Sequence, residues 1–67
     1  MNQNPPQGFR IVEGGPQQDP DSGAPALLVR DVDDGTYAFF YPHMNTFGNR
    51  VRATEIGKTL EHKANSN

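Results

Sequence analysis

Leu27-Leu28-Val29-Arg30-Asp31-Val32, then Asp33-Asp34-Gly35, then Thr36-Tyr37-Ala38-Phe39-Phe40-Tyr41 is the stretch that decides the fold. Two runs rich in β-branched and aromatic residues flank an Asp-Gly pair, and Pro42 stops the second run. Asp-Gly suits the positive φ angles of a tight hairpin turn, so the stretch predicts an antiparallel β-hairpin. With Asp34-Gly35 as a two-residue loop, Leu28, Arg30 and Val32 oppose Tyr41, Phe39 and Tyr37 on one face. Val29 and Asp31 then oppose Phe40 and Ala38 on the other. With Asp33, Asp34 and Gly35 together as the loop, the pairing slips by one, and the sequence leaves both registers open. In either register both faces carry large apolar residues. A solvated hairpin shows one polar face, so each face is expected to meet a helix, another strand layer or a second chain.

Downstream, His43-Met44-Asn45-Thr46-Phe47-Gly48-Asn49 reads as a turn region, and Arg50-Val51-Arg52-Ala53 as a possible third strand. Thr54 is placed to cap a helix from Glu55 to about Lys63. Ile56 and Leu60 share one face of that helix. Gly57 weakens it by roughly 1 kcal/mol relative to Ala. A strand across residues 50–56 is the alternative reading.

Upstream, residues 1–25 form a polar arm rich in Pro, Gln and Gly. Such segments bury too little surface to offset the entropy of ordering. Inside the arm, Phe9 and Ile11 alternate with Arg10 and lead into Val12, a weak strand signal. This cluster suits docking on a partner or addition to a sheet edge. The expected organisation is an arm over 1–25, an ordered domain over 26–63 and a frayed tail over 64–67. The expected fold is a small α+β domain: an antiparallel β-hairpin, with room for a third short strand, packed with one short C-terminal helix behind an extended N-terminal arm.

The whole chain has 67 residues, of which only 33% are hydrophobic. A core of that size supplies a few kcal/mol at most, and a partner or self-association would ease the difficulty. No apolar run approaches the ~18 residues of a membrane span. There is no cysteine and no basic-then-apolar leader at the start, which together read as a chain kept in the cytoplasm. Residues 1–41 hold six acids and two bases, and residues 42–67 hold four bases and two acids. A contrast of that kind can orient a small protein on a partner.

Motifs for chemistry fall short on spacing. Asp31, Asp33 and Asp34 before Gly35 suggest a calcium loop, but the third carboxylate comes one position early and the twelfth position is Pro42. Gly57-Lys58-Thr59 matches the end of a phosphate-binding loop, yet Arg52 stands where the first glycine belongs. His43 and His62 have no cysteine to complete a zinc site. Ser22 and Ser66 lie in segments too polar to preorganise a nucleophile. No cofactor is called for.

What remains is a surface reading. Five aromatics fall within Tyr37–Phe47, and aromatics, Met and Arg are what interfaces concentrate. The candidate interface residues are Phe9, Ile11, Val12, Tyr41, Met44, Phe47, Arg50 and Arg52. The expected function is that of a noncatalytic small accessory or structural subunit acting by protein–protein contact, with a larger protein or further copies of the chain as partner. One alternative is a small nucleic-acid-binding module using the hairpin aromatics with Arg50 and Arg52, although phosphate binding wants more concentrated cations. A small metal-binding protein or enzyme is the other.

Overall fold

The computed structural model describes residues 5–65. The polar opening over 1–4 and the end of the tail at 66–67 lie outside the described residues. Four strands form one antiparallel sheet in sequence order: β1 (Phe9–Ile11), β2 (Leu27–Asp31), β3 (Tyr37–Tyr41) and β4 (Thr46–Gly48). A helix, α1 (Arg50–Asn65), follows. The domain is α+β with a C-terminal helix, but its sheet has four strands rather than a hairpin with one possible addition. The extra strands come from both sides. Phe9–Ile11 adds to the β2 edge within the 1–25 stretch, and the segment after Pro42 returns as β4.

The β2–β3 hairpin adopts neither of the two expected registers, and its faces divide as they would around the two-residue loop. Leu27 opposes Phe40, Leu28 opposes Phe39, Val29 opposes Ala38 and Arg30 opposes Tyr37. The pairing differs by two residues from the tight Asp34-Gly35 turn, so every side chain stays on its face. The cause is a wider loop, Val32–Gly35, closed by Asp31 and Thr36. The Asp31 amide donates to the Thr36 carbonyl at 2.8 Å, and the Gly35 amide to the Asp31 carbonyl at 2.9 Å. Asp31 Oδ1 accepts the amides of Asp33 and Asp34, and Asp34 Oδ1 accepts the amide and hydroxyl of Thr36. These aspartates serve the turn, with Gly35 at φ +75° completing it.

The segment from Arg50 is helical from its first residue, and no strand forms over 50–53. Asn49 makes the break. Its φ of +50° is one that Asn tolerates better than most residues, and its carbonyl accepts the first helical bond from Ala53 at 3.0 Å. Thr54 is therefore inside the helix, its hydroxyl bonded back to the Arg50 carbonyl, rather than at the cap.

The helix covers one sheet face. Leu28, Tyr37 and Phe39 from the sheet join Val12, Ala26 and Ala53 in a buried cluster, with Tyr41, Ile56 and Leu60 packed around it. Gly57 sits where the Tyr37 ring reaches the helix. A Cβ at Gly57 would stand 2.3 Å from Cδ2 of that ring, inside any tolerable contact. The glycine that weakens the helix in isolation is what lets the helix lie on the sheet. None of the described helices is long and apolar enough to cross a membrane.

Gly57→Ala is expected to destabilise the chain by about 1–3 kcal/mol through overpacking, outweighing the ~1 kcal/mol that alanine gains in helix propensity. Lys58→Ala, on the exposed side, should stay within about 0.5 kcal/mol. Urea unfolding midpoints of the two variants check both.

Candidate functional site

Two carboxylates and one aromatic pair stand out in the folded chain. Glu61, on the helix, receives three donors from three strands. Arg10 Nη2 donates to Oε2 at 2.7 Å, while Arg30 Nη1 at 2.6 Å and the Tyr37 hydroxyl at 2.5 Å donate to Oε1. The hydrogen bond from Tyr37, ahead of those from the two arginines, holds the Glu61 carboxyl below its ordinary range. Burial and the bond to Glu61 raise the Tyr37 phenol.

Asp19 does the same work at the other end of the sheet. It is 4% exposed, and it lies in a polar strap over residues 13–25 that makes its own turns. The Asp19 amide donates to the Ala24 carbonyl and the Gly23 amide to the Asp19 carbonyl. Asp19 Oδ1 accepts the Asp21 amide at 2.8 Å and the Asn49 side-chain amide at 2.9 Å, and Oδ2 accepts the Tyr41 hydroxyl at 2.5 Å. The Tyr41 bond is the largest influence holding the Asp19 carboxyl low. Burial, then that same bond, pushes the Tyr41 phenol up to about 12. Asp21 bonds Asn49 and Arg52, so the strap is fastened to the start of the helix, whose own first turn carries no acid.

Each carboxylate accepts three hydrogen bonds, all three from distant segments at Glu61 and two of the three at Asp19. No buried side-chain polar atom among the described residues lacks a partner. Their chemistry is that of fasteners. Among the described residues no three His, Asp or Glu side chains converge as metal ligands. His43 and His62 are exposed, one in the β3–β4 turn and one on the helix.

The aromatic pair lies on the sheet face that the helix leaves open. By register, Phe9 and Ile11 of β1, Leu27, Val29 and Asp31 of β2, Ala38 and Phe40 of β3 and Phe47 of β4 share that face. Phe9 and Phe47 stand on opposite edge strands. Phe9 is level with Asp31 and Phe47 with Leu27, so three strand spacings of about 4.8 Å and four residues of strand would hold them roughly 20 Å apart in a flat sheet. Their ring centroids are 4.5 Å apart and stacked, and Phe47 lies 5.0 Å from Phe40. The sheet therefore twists enough for rings from its two edges to meet over Val29, Ala38 and Phe40, which are buried. Phe9, Leu27 and Phe47 are half-buried against them, and Ile11 alongside is 44% exposed.

The eight residues singled out in the sequence thus separate. Phe9, Ile11 and Phe47 come together on the open face. Val12 and Tyr41 face the helix, Val12 at 2% exposure within the buried cluster. Met44 projects from the β3–β4 turn at 62% exposure. Arg50 is exposed at the start of the helix. Arg52 is ion-paired with Asp21 at 3.1 Å and with Glu55 at 3.6 Å. The paired basic edge and the hairpin aromatics do not form one surface. Sequence reasoning missed Asp19 and Glu61, because each looks like an ordinary solvated acid until the fold brings its donors. The one available signal was two tyrosines on an otherwise apolar strand, since a buried phenol needs a partner.

Comparison with family models, curated proteins and solved structures returns no match to this chain.

The fasteners fix the pH behaviour. A carboxyl held low in the fold stabilises it above the unfolded value, near about 4, and that contribution is lost as pH falls through the folded value. A phenol held high stabilises the fold below about 10 and releases that contribution as pH climbs past it. Stability is therefore expected to be level across neutral pH, to fall in acid below about 4 as Asp19, Asp21 and Glu61 protonate, and to fall again in alkali. Denaturant midpoints against pH check the acid limb. Phenolate absorbance checks the alkaline limb, where Tyr41 should ionise near 12, late and together with unfolding.

Proposed function

We propose that the chain is a noncatalytic accessory or structural subunit that works by protein–protein contact through the open face of its sheet. The observation that carries this reading is the half-buried Phe9–Phe47 stack with exposed Ile11 alongside it. Rigid aromatics at the centre of a surface give large contact area at low entropic cost, and they anchor many interfaces. The stack is held from beneath by Phe40, so a partner meets a preformed surface and little ordering is left to oppose binding. The helix side suits this role less well. Its exposed groove along Arg52, Glu55, Ile56, Thr59 and Leu60 is a shallow trough bordered by an ion pair.

A photo-crosslinking amino acid in place of Ile11 tests the reading in extract from the protein's own cells. The expected result is one protein adduct, identified by mass spectrometry, that excess unlabelled chain competes away and that a crosslinker at Lys58 does not give. Equal yields from both positions, or adducts only with nucleic acid, would overturn it.

A further inference from the structure

The open face has an acidic end. Asp31 lies on the face itself, directly opposite Phe9, and exposed Asp33 and Asp34 follow in the adjoining turn. None of the three forms an ion pair among the described residues, where the salt bridges all run to Asp21, Glu55 or Glu61. The turn occupies Oδ1 of Asp31 and Oδ1 of Asp34, and the second oxygen of each, with the whole Asp33 carboxylate, accepts no hydrogen bond from the described residues. Cations are scarce here. Arg10 and Arg30 point to the other face and are committed to Glu61. Two cations come near without an ion pair to the turn: the Arg30 guanidinium, bonded to Glu61, lies beside Gly35, and Arg50 draws down the Asp34 carboxyl only as a minor influence behind the bonds from Thr36.

We infer that the open face takes a basic amphipathic segment of a partner protein, its apolar side chains on Phe9, Ile11 and Phe47 and its Lys or Arg side chains at the Asp31–Asp34 end. This rests on the protein-contact reading of the same face and adds the chemistry of the occupant. An apolar centre beside unpaired charge of one sign favours a partner with the opposite sign, through faster encounter and through rejection of like-charged surfaces. A nucleic-acid backbone is disfavoured at the same place, since its phosphates would meet carboxylates rather than cations.

The test uses the intact isotope-labelled chain and two synthetic helical peptides with the same leucine stripe, one with lysine and one with glutamate at the polar positions. Amide NMR titration at low salt follows both. The lysine peptide should shift amides over 9–11, 27–34 and 46–48 saturably, and bind about tenfold or more tighter than the glutamate peptide. Asp33→Lys should weaken the lysine peptide several-fold while leaving the unfolding midpoint unchanged. If both peptides bind this face equally, the charge inference fails while the contact surface stands. Binding of the lysine peptide elsewhere, or no binding by either, overturns the inference. So does a dimer of the chain that already occupies the face in light scattering. The crosslinking yield from Ile11 judges the contact surface separately.

Discussion

The central strand has no polar face. Tyr37, Ala38, Phe39 and Phe40 are all buried, and Tyr41 nearly so. A strand of that composition must be covered on both sides, and a chain of this length has one helix with which to do it. The helix takes the Tyr37–Phe39–Tyr41 side. The Ala38–Phe40 side is left to the sheet itself, which coils until Phe9 and Phe47 close over it. Sheet twist has a fixed hand and accumulates from strand to strand, so four short strands reach across a face that two could not. The number of strands is a consequence of what β3 carries.

The two tyrosines that edge this strand create a second demand. Each brings a hydroxyl to the border of an apolar cluster, and a buried hydroxyl without a partner costs more than a satisfied one returns. Glu61 meets Tyr37 and Asp19 meets Tyr41. Each carboxylate then needs further donors, which Arg10 and Arg30 supply to one and Asn49 and the strap backbone to the other. The result ties the first strand and the strap, distant in sequence, to the helix. In a domain with so small an apolar core, these charge-assisted bonds determine which loops stay down. They also hold Arg10 and Arg30 on the helix side of the sheet, which leaves the open face apolar at its centre and acidic at one end.

Much of this was legible in the sequence, and the gaps have identifiable causes. Alternation along residues 27–32 and 36–41 divided the side chains within each strand into two faces. It did not give their partners, because an Asp-Gly pair signals a tight turn while Asp31 and Asp34 stabilise a wider one. Phe9 and Ile11 were readable as a strand seeking an edge, and the edge is that of their own sheet. The β4 strand is three residues with a single apolar anchor, below what periodicity can detect. Arg50-Val51-Arg52-Ala53 alternates like a strand and Thr54 reads as the helix start, whereas the positive φ of Asn49 sets it five residues earlier. Gly57 looked like a weak point because propensity knows nothing of the Tyr37 ring. Asp19 was hidden in a tract whose average composition predicts disorder, since one buried carboxylate with three donors barely alters an average. Of the candidate contact residues, Phe9, Ile11 and Phe47 converge only because the sheet coils, a property of four strands together.

The fold therefore depends on both faces of β3 being closed from within one chain. The most direct measurement is a nuclear Overhauser spectrum of the intact chain, recorded on a sample whose mass is fixed by light scattering. It predicts a 7.4 kDa monomer with dispersed amides, and with cross-peaks between the Phe9 and Phe47 rings and between the Tyr37 ring and the Gly57 backbone. A collapsed spectrum, an obligate oligomer, or a folded monomer in which Phe9 and Phe47 show no contact would contradict it.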